Sequence, residues 1–173
     1  YMLNQERGYD TTSKAILHGE QLNSLIDATK QLGRNNDPHV RQRLAAAYTN
    51  VELMRWVGLR MLTGVVRDQP VGPEGSIMKL MWSQHHQEVT ELAMDIIGFD
   101  AMSPTGLRPA NFFIELPGAP YSTMSWTWTF LAARSDTIRG GTSEIQRNII
   151  GEKVLGLPKE ARADTGPWSK TPR

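Results

Sequence analysis

The sequence predicts an all-α fold, an up-and-down four-helix bundle with an additional C-terminal helix. Three observations predict it: apolar residues recur every three to five positions, no run alternates apolar and polar as a strand does, and helix-ending residues fall at intervals that leave long segments between them. The chain has 173 residues, 39 % of them apolar and 21 % charged, enough to bury one core unaided.

The first helix is placed at about Leu3 to Leu32, with Ala15, Ile16, Leu22, Leu25, Ile26 and Ala28 as its apolar members and Gly33 as its left-handed stop. Arg34-Asn35-Asn36 then forms a loop, and Asp37-Pro38 starts a second helix, Asp as N-cap and Pro in the first turn. Val40, Leu44, Tyr48, Val51, Met54, Leu59, Leu62 and Val65 form its stripe, widened by Trp56 and Met61. Breakers from Asp68 to Pro73 separate it from a third helix, about Glu74 to Ile97, that stops at Gly98. Its predicted face carries Ile77, Met81, His85, Val89, Leu92 and Ile96.

Phe99 to Pro120 holds four prolines and reads as irregular, with Phe112, Phe113 and Leu116 packing on the bundle. A fourth helix is placed at about Tyr121 to Arg134, carrying Met124, Trp126, Trp128, Phe130 and Leu131. A fifth follows Gly140-Gly141, with Thr142 as N-cap and Glu144 in its first turn, and runs to about Val154 before Leu155-Gly156-Leu157-Pro158. Residues 1–158 thus form one domain, and 159–173 read as a polar tail. The start at Tyr1 suggests a piece of a longer polypeptide.

Charge narrows the partners. Lys plus Arg (19) almost cancels Asp plus Glu (18), which leaves no positive field for nucleic acid or an anionic membrane. No apolar run reaches the ~18 residues of a membrane span, and no signal peptide is legible. The absence of Cys removes thiolate chemistry and fits a reducing compartment, so a cytoplasmic location is expected.

Two constellations invite chemical readings. His85-His86 with Glu88 and Glu91 would suit a metal if a second Glu-x-x-His existed, but none does; His85 therefore reads as a core residue, His86 as exposed, and no metal is expected. Gly140-Gly141 ahead of Thr142 is either a tight interhelical turn or a backbone edge that a ligand approaches closely.

The run TIRGGTSEIQRNIIGEKVLGLP, Thr137 to Pro158, resembles the C-terminal signature of acyl-CoA dehydrogenases, flavoenzymes that desaturate acyl thioesters between the α and β carbons. Lys79, the helix end at Gly98, and Glu6-Arg7 fall in the family's order. The resemblance implies the C-terminal four-helix-bundle domain of such an enzyme, whose N-terminal helical and middle β-domains are missing here, so the fragment alone is expected to be inactive. It implies FAD as cofactor, acyl-CoA as substrate, an electron-transfer flavoprotein as partner, and a homo- or hetero-oligomer, dimeric or tetrameric, in the parent.

Many family members place the catalytic Glu where this chain has Gly140; a second group places it before an Arg on the first helix, which Glu6-Arg7 matches. Glu6 is therefore the base the resemblance implies. Gly141, Thr142 and Glu144 match flavin-contacting positions, Glu144 standing where Gln is frequent, and Arg7, Arg139 and Gly140 are assigned to the substrate. The chain departs from the family at Leu32 to Asp37, where an Arg-x-x-Phe-Gly motif is common, and at Asp95 to Phe99, where Gln-x-x-Gly-Gly is common. Competing readings are a non-catalytic subunit of a mixed oligomer, a flavin oxidase or monooxygenase on the same fold, and a stand-alone helical interaction module.

Overall fold

Five α-helices carry the core of the computed structural model, which describes residues 11–69, 72–106 and 123–159. They are α1 (Thr11–Gln31), α2 (Pro38–Val66), α3 (Glu74–Ile97), α4 (Thr123–Ala133) and α5 (Ser143–Ile149). Among the described residues there is no strand. The predicted sites Glu6 and Arg7, the start of the first helix, Phe112, Phe113, Leu116, Tyr121 and the tail from Glu160 onward lie outside the described residues.

Local chemistry ends the helices where the sequence indicates. Gly33 takes a φ of 66°, and the Arg34 N–H reaches back to the Thr29 carbonyl at 3.0 Å, closing α1. Asp37 caps α2 by accepting from His39 N at 2.9 Å. A hydrogen bond from Arg34, then one from the His39 N–H, holds the Asp37 carboxyl below its usual range. Gly98, at φ 65°, ends α3. Two details differ from expectation: Gly98–Met102 forms a 3₁₀ turn inside the segment read as irregular, and Ile150–Val154 continues α5 as a π-helical turn.

The core is built from Leu22, Leu25, Val40, Val51, Met54, Met78, Val89, Leu92, Ile96 and Trp126. α3 is its hub: its backbone approaches those of α1, α2, α4 and α5 alike. Short connections fold α1, α2 and α3 back on one another.

Several residues placed in the core stripes are exposed. Ile16 is 65 % exposed because, at 100° per residue, it points away from the buried Leu22, Leu25 and Ala28. Tyr48, Trp56 and Leu59 likewise turn away from the face of α2 that buries Val40, Val51 and Met54. Leu62 and Val65 share that face's direction but lie in the last turns, where little covers them. On α4, Trp126 is buried whereas Leu131 is exposed. Conversely, α1 and α3 turn Lys14, His18, Gln21, Ser83, His85 and His86 inward.

A glycine pair held by buried side chains

Between α4 and α5 the chain makes a turn that ends in Gly140 and Gly141, both at positive φ (69° and 99°). These are left-handed conformations that a side chain strains. A Cβ added at Gly140 would stand 3.9 Å from Lys79 Cε, so space is available but the backbone is unfavourable for any side chain. Thr142 caps α5, its Oγ1 accepting from Ile145 N at 3.4 Å. Glu144 is exposed, and its carboxyl is held below the usual range by a hydrogen bond from its own N–H, then by one from the Thr142 hydroxyl.

Gln146, which sequence reasoning did not single out, locks this pair. It is fully buried, and its Nε2 donates to Gly140 O at 3.0 Å and Gly141 O at 3.2 Å. Its Oε1 has no hydrogen-bond partner among the described residues. Half-buried glycine backbone, the Thr142 hydroxyl and a spare buried acceptor together suit a polar ligand edge that offers both donors and acceptors.

The turn before the glycines is fastened to α3. Lys79 Nζ donates to the Asp136 carbonyl at 2.9 Å, and Gln87 Nε2 donates to Ala133 O at 3.2 Å and Thr137 Oγ1 at 3.0 Å. Arg134 pairs with Glu91 at 2.7 Å. The Asp136 carboxylate, 1 % exposed, takes His86 Nδ1 at 2.6 Å on one oxygen and Arg139 on the other. His86 is therefore buried and paired, which corrects the expectation of an exposed ring: facing α1 and the turn, it finds Asp136 and Gln21, the latter at 3.2 Å. Arg139 remains half-exposed, beside a recess of about 200 Å³ that Trp128, Leu131 and Ser135 also line.

Behind His86 lie two more buried imidazoles. The His18 ring centroid is 5.2 Å from that of His85 and 5.3 Å from that of His86, and it stacks on Trp82 at 6.1 Å. Burial, then the neighbouring His86, pushes His85 down to about 4; burial and the other two rings lower His18 as well. Both rings are therefore neutral at pH 7. Among the described residues no three His, Asp or Glu side chains converge to hold a metal ion. The structure brings Arg139, Gly140, Gly141, Thr142 and Glu144 together at one end of α3. Gln146 and Gln87 carried no local signal, since their amides act on backbone carbonyls or on residues distant in sequence.

The family model described as the acyl-CoA dehydrogenase C-terminal domain matches residues 2–155. Acyl-CoA dehydrogenase IpdE1 of Mycobacterium tuberculosis is 37 % identical over 160 residues, 92 % of this chain and 37 % of that protein. The IpdE1 of Mycolicibacterium smegmatis is 34 % identical over 160 residues, 92 % of this chain and 36 % of its own. This chain thus spans little more than a third of the curated relatives it matches. Among solved structures, the Tcur3481-Tcur3483 steroid ACAD superposes with a TM-score of 0.67 at 25 % identity, covering 92 % of this chain and 39 % of that one. The ChsE4-ChsE5 complex of Mycobacterium tuberculosis superposes with a TM-score of 0.62 at 21 % identity, over 85 % of this chain and 36 % of that one.

Proposed function

Because the chain belongs to the acyl-CoA dehydrogenase family, matching its C-terminal domain over residues 2–155, we propose that it is the flavin- and substrate-facing domain, residues 1–158, of an FAD-dependent enzyme that desaturates an acyl-CoA thioester. The observation that carries the reading is the glycine pair: Gly140 has neither a carboxylate nor a backbone suited to one, so the base comes from elsewhere, and Glu6 followed by Arg7 is the candidate.

The residues present fit the cofactor. Gly141 backbone, Thr142, Glu144 and the spare Gln146 acceptor would hold a flavin edge, Arg139 and Gly140 would face the thioester, and Arg7 would stand beside the base. The bound flavin supplies a hydride acceptor. Glu6 takes the α-proton and becomes a carboxylic acid; the electron pair of that Cα–H bond forms the α,β double bond, and the β-hydrogen leaves as hydride with the pair of its own C–H bond. The α-proton is a weak acid, so the carboxylate must be desolvated when substrate binds.

These residues span little more than a third of the relatives' length, and on this reading most of the acyl pocket belongs to the remainder, so the fragment by itself does not desaturate acyl-CoA. The steroid ACAD built from Tcur3481 and Tcur3483 supports two further readings: the acyl group is bulky and ring-bearing, and the parent assembles from two unlike chains. Its electrons pass to an electron-transfer flavoprotein. In the parent, Glu6→Gln keeps flavin and acyl-CoA binding while slowing single-turnover flavin reduction by about 10²-fold or more. Unchanged reduction overturns the assignment of Glu6 and favours the reading of this chain as the non-catalytic member of a mixed pair.

A further inference from the structure

His86 Nδ1 lies 2.6 Å from Asp136 Oδ2, and a carboxylate accepts rather than donates, so Nδ1 is the donor. With Gln21 Nε2 toward the ring, His86 Nε2 accepts, which likewise leaves the proton on Nδ1. Asp136 and His86 are each 1 % exposed. Desolvation offsets the attraction of a buried pair, so its presence argues for the geometry it fixes more than for stability.

That geometry ends at the glycine loop. Asp136 lies three residues before Arg139, and its second oxygen captures that side chain. Its own carbonyl is pinned by Lys79. Orientation of one buried carboxylate therefore sets the direction of the last side chain before Gly140-Gly141.

We propose that His86 is a positioning residue for this loop: it holds the Asp136 carboxylate so that the free oxygen fixes Arg139, and thereby orders the backbone from Arg139 to Thr142. The consequence for ligand binding rests on the reading of that loop as flavin- and substrate-facing; the positioning itself does not.

The test is made on the full chain. Nitrogen-15 NMR of the imidazoles reads the His86 proton without any variant: a proton on Nδ1 is expected, and a neutral ring protonated only at Nε2 overturns the proposal. Amide hydrogen exchange then compares His86→Leu, which removes the donor, with His86→Asn, whose amide N–H replaces Nδ1–H. Relative to Val51 in α2, exchange at Gly141 and Thr142 rises about tenfold or more in the Leu variant and returns to within about threefold of the parent chain in the Asn variant. Equal loosening in both variants, or none in the Leu variant, overturns it. Should His86→Leu not fold, Arg139→Gln serves, because Arg139 is half-exposed: the loop loosens while the His86 ring signals stay, and an unloosened loop sinks the proposal. FAD titration of the parent polypeptide decides the functional reading separately, since failure to bind FAD overturns that reading while the exchange rates still decide this one.

Discussion

Lowering the pH from 7.5 to 5 should destabilise this domain through its buried imidazoles, before most carboxylates are protonated. His85 is 1 % exposed, its two ring nitrogens have no hydrogen-bond partner among the described residues, and burial beside His86 lowers it from its ordinary 6.5 to about 4. Unfolding returns the ring to water, where it takes up a proton below about 6.5. The unfolded chain then binds more protons than the folded one, so stability falls as the pH falls from about 6.5 to about 4 and levels off below. Integrating that difference, His85 alone removes about 2 kcal/mol between pH 7.5 and 5. His18, lowered first by burial and then by His86 and His85, with Lys14 adding to the effect, increases the loss in the same sense. Urea unfolding at fixed ionic strength measures it, and His85→Leu should flatten the pH slope by that amount. The same variant should gain about 1 kcal/mol at pH 7.5 by removing an unsatisfied buried group. A stability that stays within about 0.5 kcal/mol across the range, or a Leu variant with the full slope, would refute the reasoning.

Gln146→Leu removes both donors to the glycine carbonyls and should cost about 1–3 kcal/mol by thermal or urea unfolding; an unchanged midpoint would mean that the pair holds its shape without it. Met54→Ala, at a fully buried position, should cost about 2–5 kcal/mol, whereas Trp56→Ala, 64 % exposed two residues later, should stay within about 0.5 kcal/mol of the parent chain. Equal losses would show that the second face of α2 is covered in solution.

Helix ends were legible because their causes are local. Gly33, Asp37-Pro38, Gly98 and Thr142 each act within a turn or two of themselves, so neighbouring residues suffice to read them. Facing was less legible. Apolar identity placed Ile16, Tyr48 and Trp56 inside, yet the 3.6-residue period sends them outward, and the same habit of thought sent His86 outward when an acid 50 residues downstream draws it in. The glycine turn and its Thr cap were legible because they form one continuous stretch of sequence. Their supports were not, since Lys79, His86 and Gln87 reach them across the interface between α3 and the turn. Polar residues seven apart on a mostly apolar helix, Lys79 and His86, were the one available hint.

α4 and α5 approach no other described α-helix except α3, and α1 and α2 meet them only across it. The architecture is thus two leaves on a single spine, with the glycine pair on one leaf and the larger apolar interface on the other. Local opening on such a frame has a natural seam. The leaf carrying Asp136 and the glycines can part from α3 while α1 and α2 stay closed on it, whereas fraying of α3 itself releases everything at once. Protection of α3 amides therefore reports the whole domain, and protection beyond Ala133 reports the leaf that carries the glycine pair.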